Sequence, residues 1–160
     1  MSELIDLSHL FEGGMPGFKA RLPDSSTVRC TARIRPLVTH EQSRAAFAGK
    51  AVLCRFGWDR LWGEEAYFSA YPFLSRPALW HLIEGGARLV GVDTWNADDS
   101  AEAERPAHTW LLERDIFIVE NLCNLAALRR RAFRFFAVPI KAKGAASMPV
   151  RAFAEVLESP

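Results

Sequence analysis

Three acidic residues stand where short apolar runs end. Asp59 follows the run at 51–56, Asp93 closes the run at 88–93 and leads into Thr94-Trp95-Asn96, and Glu120 closes the run at 116–119 and leads into Asn121. His108 opens the segment that returns the chain to the run ending at Glu120. An imidazole and a carboxylate brought together suit a divalent metal or a general base. In a parallel sheet, groups at strand ends converge on one crevice, because the loops that leave the carboxyl edge meet there. The plainer reading of the same pair is a helix-capping histidine and a partly buried carboxylate held by hydrogen bonds. His40 on a short polar segment is expected to face solvent, and His81 beside Trp80 to lie on a helix face. Trp58, Trp62, Tyr67 and Phe68 suit either a pocket for an aromatic substrate or packing over a sheet edge or subunit interface. Arg129-Arg130-Arg131 reads as a solvated turn.

The elements that would position these groups are punctuated clearly in the second two-thirds of the chain. Residues 51–56 form an apolar run of strand length closed by Gly57. Ser75 as N-cap, Pro77 in the first turn, an apolar face of Leu79, Trp80, Leu82 and Ile83, and the stop Gly85-Gly86 predict a helix from about Arg76 to Glu84. Strands are expected at 88–93, 115–120 and 133–138, with a helical turn or two from Ala107 to Arg114. This alternation predicts an α/β fold, a single sheet of mostly parallel strands with crossover helices. Earlier in the chain, Leu4 to His9 reads as a strand and Gly13 to Gly17 as a loop. His40 to Phe47 suggests a short helix ended by Gly49.

With 160 residues, 49% of them hydrophobic, one domain spanning 1–160 is the expectation. Lys and Arg number 20 against 19 Asp and Glu, so no net field draws the protein toward nucleic acid or an anionic membrane. The first residues show no basic stretch leading into an apolar run, and no segment approaches the roughly 18 apolar residues of a membrane span. A cytoplasmic location is expected. Cys30, Cys54 and Cys123 are odd in number and widely spaced, which indicates neither a disulfide framework nor a thiolate zinc site.

Several segments together carry a family resemblance. They are Ile5-Asp6-Leu7-Ser8-His9, Gly14-Met15-Pro16, residues 56–62 (Phe-Gly-Trp-Asp-Arg-Leu-Trp) and Leu89-Val90-Gly91-Val92-Asp93-Thr94. Arg105-Pro106-Ala107-His108, Ile118-Val119-Glu120-Asn121-Leu122 and Phe133-Arg134-Phe135 continue the series in the same order. The chain resembles the putative cyclase family, which includes bacterial kynurenine formamidase, an enzyme of tryptophan catabolism. The resemblance implies a swivelling β/β/α-like core and a metal-dependent hydrolase of amide or cyclic bonds acting on a small-molecule substrate. It implies metal-ligand roles for His108 and Glu120, with zinc, or manganese, as the cation, and a substrate contact for Phe18. No catalytic residue is assigned by it.

One departure matters as much as the match. The family carries a His-x-Gly-Thr-His-x-Asp segment with a further histidine downstream, and this chain has none: its histidines are His9, His40, His81 and His108. An internal piece is missing, within the poorly assigned residues 19–50. Two ligands are fewer than the roughly three protein ligands of a catalytic zinc, so the chain alone is expected to hydrolyse N-formylkynurenine little. The alternative reading is a shortened, non-catalytic homologue with a binding or assembly role. Loss of the segment should also uncover apolar sheet surface, which predicts a homo-oligomer.

Overall fold

A computed structural model describes residues 3–9, 47–129 and 131–157. Phe18, His40, Cys30 and the proposed helix at 40–47, save its last residue, lie outside those residues.

Three strands form the parallel sheet: β2 (Ala51–Cys54), β3 (Leu89–Val92) and β4 (Phe117–Val119), in that spatial order. The register places Ala51 beside Leu89 and Val90 beside Ile118. Each crossover carries a helix, α1 (Arg76–Glu84) between β2 and β3 and α2 (Pro106–Leu112) between β3 and β4. The α1 boundaries are those its sequence predicts. Ser75 occupies the N-cap position through its backbone, its carbonyl accepting from Leu79 N at 3.0 Å, but its hydroxyl makes no capping bond. Gly86 ends the helix with φ +75°, where a side chain would be strained, and Ala87 N reaches back to Leu82 O.

Side-chain alternation explains why these strands are apolar throughout. Val52, Cys54, Val90, Val92 and Ile118 point to the helices and join Leu79, Leu82, Ala107 and Leu111 in one core. Leu53, Leu89 and Val119 point the other way, into a second core with Leu7, Leu122, Leu125, Leu128, Ala152, Ala154 and Val156. A strand covered on both faces has no polar side to show. Gly91 sits on that second face because a Cβ there would come within 2.6 Å of Leu53 Cδ2 and 2.7 Å of Leu122 Cδ1.

The expectation of one sheet is corrected here. The segment at 133–138 does form a strand, β5 (Phe133–Pro139), but it belongs to a second, antiparallel sheet of order β1-β6-β5, with β1 at Glu3–Asp6 and β6 at Val150–Val156. The physical reason lies in the connection. Residues 140–149 contain no helix and turn at Gly144, φ +73°, so the chain returns beside itself antiparallel rather than crossing over. Alternation in β5 also marks it as half-buried: Phe133, Phe135 and Ala137 join the second core, while Arg134, Phe136 and Val138 face outward. The layers therefore run antiparallel sheet, parallel sheet, helices. No helix among the described residues is long and apolar enough to cross a membrane.

Candidate functional site

Helix α2 begins with Pro106 directly after Arg105, so no Ser, Thr, Asp or Asn stands at its N-cap. Its orphan amides are satisfied instead from the loop after β3. The buried Asp98 carboxylate accepts from Ala107 N through Oδ1 at 2.5 Å and from His108 N through Oδ2 at 3.1 Å. The same Oδ2 lies 2.6 Å from His108 Nδ1. Burial opposes the charge on Asp98, but the imidazole and the two amides outweigh it and hold the carboxyl below its ordinary range. An ionised carboxylate can only accept, so Nδ1 carries the hydrogen, and in the neutral form of the ring Nε2 holds the lone pair. A carboxylate that fixes the tautomer in this way is the usual companion of a metal-binding or basic histidine.

Nε2 of His108 faces Glu120, whose Oε1 is 3.6 Å away. The same Oε1 accepts from Ala97 N at 2.7 Å. The backbone beyond β4 fixes its place, with Asn121 N bonded to Thr94 O and Leu122 N to Val92 O, so the carboxylate leaves the carboxyl edge of the sheet beside the Asp98 loop. Burial pushes the Glu120 carboxyl above its usual range, with the Ala97 amide, His108 and Arg105 working against it. Arg105, at φ 47°, lays its guanidinium across the ring, Nη2 lying 3.1 Å from each ring nitrogen of His108.

The other two strand-end acids do different work. Asp93 is buried and accepts from Phe56 N at 2.7 Å and Gly57 N at 2.8 Å, which pins the turn after β2. Asp59 accepts from Asn124 N at 2.9 Å and ties the 57–62 loop to the segment after Glu120. The aromatic residues pack over the same end of the sheet. Trp62 stacks on His9 at 3.9 Å, buried Tyr67 meets both rings edge-on, and Tyr67 donates its hydroxyl to Asn121 Oδ1 at 2.9 Å. Trp58 Nε1 donates to Tyr67 O. Cys54 and Cys123 are core thiols, each pushed up to about 11, chiefly by burial.

His108 is thus brought to Glu120 as the resemblance implies, but through Asp98, a residue the sequence reading passed over. The capping of α2 also falls to Asp98, not to the imidazole. The signal was a helix with no local cap preceded by a loop containing Asn96-Ala97-Asp98-Asp99. Among the described residues no group of three His, Cys, Asp or Glu side chains is placed to hold a metal ion. Both Asp93 oxygens are engaged, and Asp98 is committed to α2. The described donors fit half of a catalytic metal shell, not a complete one.

Comparison with known proteins bears on the fold that carries this geometry. Residues 30–99 match the family model described as Putative cyclase. No curated protein matches the chain. Among solved structures, an isatin hydrolase bound to the product analogue thioisatinate is 25% identical, covering 76% of this chain and 53% of that one, with a TM-score of 0.64. Isatin hydrolase A from Ralstonia solanacearum is 28% identical, covering 69% and 47%, with a TM-score of 0.62. A predicted metal-dependent hydrolase from Bacillus stearothermophilus shares the fold at 22% identity and a TM-score of 0.55, covering 68% and 51%. The chain spans about half the length of the structures it matches. The match over residues 30–99 and the fold of these structures together make the chain similar to the putative cyclase family.

Proposed function

We propose that the protein carries the imidazole–carboxylate half of a cyclase-family hydrolytic site and acts in its class of reaction, the hydrolysis of an amide or cyclic amide bond in an aromatic substrate. N-formylkynurenine, from the kynurenine formamidase resemblance, and isatin, from the similarity to isatin hydrolases, are the substrates to test. The observation that carries this reading is the Asp98–His108 bond of 2.6 Å, which leaves Nε2 turned toward Glu120. A divalent cation, zinc or manganese, would supply charge to polarise a carbonyl and acidify water, but the described residues do not complete its shell. The chain's own share is that of a proton acceptor. His108 Nε2 takes a proton from an attacking water, Asp98 balances the imidazolium that results, and the imidazolium gives that proton to the leaving nitrogen while the Glu120 carboxylate stands beside Nε2.

A second reading has its own observation. The Arg105 guanidinium already lies across the His108 ring, which suits a homologue that keeps the scaffold for binding or assembly without turnover. One experiment separates the two: hydrolysis of both substrates, with and without added zinc or manganese, by the wild type, His108→Ala and Glu120→Ala. Slow hydrolysis raised by metal and lost in both variants supports the first reading. A complete lack of metal-stimulated turnover favours the second, and turnover indifferent to both substitutions removes the site from either.

A further inference from the structure

The stretch Glu102-Ala103-Glu104-Arg105-Pro106 sets two acids beside one base, and local charge alone would pair them. The fold does otherwise. Arg76, at the start of α1, takes both acids: its Nη2 bonds Glu102 Oε1 and lies 2.7 Å from Glu104 Oε2. Arg105 enters none of the ion pairs formed among the described residues. From a backbone at φ 47°, just ahead of Pro106, its guanidinium reaches His108 in the first turn of α2.

That contact is with the face of the ring. Nη2 is 3.1 Å from both Nδ1 and Nε2, and an atom in the ring plane equidistant from the two would collide with Cε1, which lies between them. A flat, delocalised cation over an imidazole face is a favourable placement. It does not use up the guanidinium, because no described residue accepts from Nε or Nη1. Glu120 feels the Arg105 charge, but its Oε1 is bonded to Ala97 N. Asp98 has both oxygens on α2 and the His108 ring.

A guanidinium grips a carboxylate with two parallel N–H groups. Both pairs that can do so, Nη1 with Nη2 and Nε with Nη2, include the nitrogen that stands over His108. Charge-assisted bonds of this kind run at about 2.8 Å, so a carboxylate oxygen on Nη2 lies no further than about 6 Å from His108 Nε2. We propose that Arg105 is the specificity-determining residue of this crevice, its fork holding a substrate carboxylate a few bonds from the amide that faces His108, as in a 2-acylaminobenzoate. The inference rests on the hydrolytic reading for the bond that is cut, whereas recognition of the carboxylate requires no turnover.

NMR titration of the full chain with two probes of one shape, 2-aminobenzoate and 2-aminobenzamide, tests the recognition alone. At low salt the carboxylate is expected to bind about tenfold or more tightly than the amide, to lose that advantage as ionic strength rises, and to shift the His108 ring signals. Arg105→Gln should level the two probes. Arg105→Lys, which keeps the charge and loses the fork, should retain part of the preference, and Arg134→Gln, on the antiparallel sheet, should retain all of it. Equal affinity of the wild type for the two probes overturns the proposal. So does binding of neither at millimolar concentration, or a preference that survives Arg105→Gln. Hydrolysis of 2-formamidobenzoate against formanilide then reads the reaction, where a lower KM for the carboxylate, lost in Arg105→Gln, is the supporting result. A binding preference with no hydrolysis of either compound removes the hydrolytic reading and leaves Arg105 as the carboxylate receptor.

Discussion

Asp98 Oδ2 and His108 Nδ1 lie 2.6 Å apart, and the same carboxylate caps the helix on which the histidine sits. Fold and chemistry therefore share one buried acid. The substitution Asp98→Asn separates the two duties. The amide oxygen can still receive Ala107 N, but the amide nitrogen can only donate, so it would turn the ring to the tautomer with hydrogen on Nε2. The expected outcome is a loss of about 1–3 kcal/mol in stability by chemical denaturation and a change of the His108 tautomer in nitrogen-15 NMR. If Asp98→Asn left the His108 shifts as they are in the wild type, the carboxylate would not be what sets the ring.

Glu120 is predicted to oppose stability. Its folded pKa is raised, so the fold favours the protonated form, and that favour is present below the unfolded value of 4.5 and lost as pH rises through the folded value. At neutral pH the ionised, desolvated carboxylate is a net cost. Glu120→Gln keeps an acceptor for Ala97 N, so it should gain about 1 kcal/mol, roughly 2–4 °C in Tm, while losing whatever hydrolysis the wild type shows. A drop in Tm at pH 7 would contradict the sign.

His9 is stacked on Trp62, and its Nε2 is buried with no hydrogen-bond partner among the described residues. Burial lowers its pKa from 6.5, against the pull of Asp59 and a backbone bond to Leu122. The group is depressed in the fold, so its contribution is present above pH 6.5 and lost as pH falls through the lower folded value. Thermal unfolding between pH 7 and pH 5 should show that decline. His9→Phe, which keeps the stack and removes the titration, should flatten it, and an unchanged slope would mean that another group is responsible.

The parts of this molecule that were legible from sequence are those whose information is local. Helix α1 carries its own start, apolar face and glycine stop, and the three parallel strands carry apolar runs that only double-sided burial explains. The second sheet was not legible, because β6 looks like any alternating segment until Gly144 turns the chain back onto β5. Likewise His108 and Glu120 were singled out by type and position, whereas Asp98 acts through a contact ten residues away that no periodicity encodes. Asp59 and Asp93 show the converse. Their position at strand ends marked them as site acids, but backbone amides bond both oxygens of Asp93 and one oxygen of Asp59.

Activity should follow the number of donors. With two side chains available to a cation among the described residues, N-formylkynurenine hydrolysis by the chain alone, with zinc or manganese added, should be very slow. Any measurable rate should vanish in His108→Ala. Robust turnover would require a third ligand from outside the described residues or from another copy of the chain.

In the proposed function Asp98, His108 and Glu120 form the half-site of a hydrolase. Zinc titration by calorimetry, with metal content of the dialysed protein as a check, tests it most directly. Weak binding of about one equivalent is expected, in the micromolar range or weaker, since two protein ligands fall short of the three that catalytic zinc sites use. That binding should be lost in His108→Ala and Glu120→Ala and retained in Asp93→Asn. Tight stoichiometric zinc that persists in His108→Ala would place the metal elsewhere and contradict it.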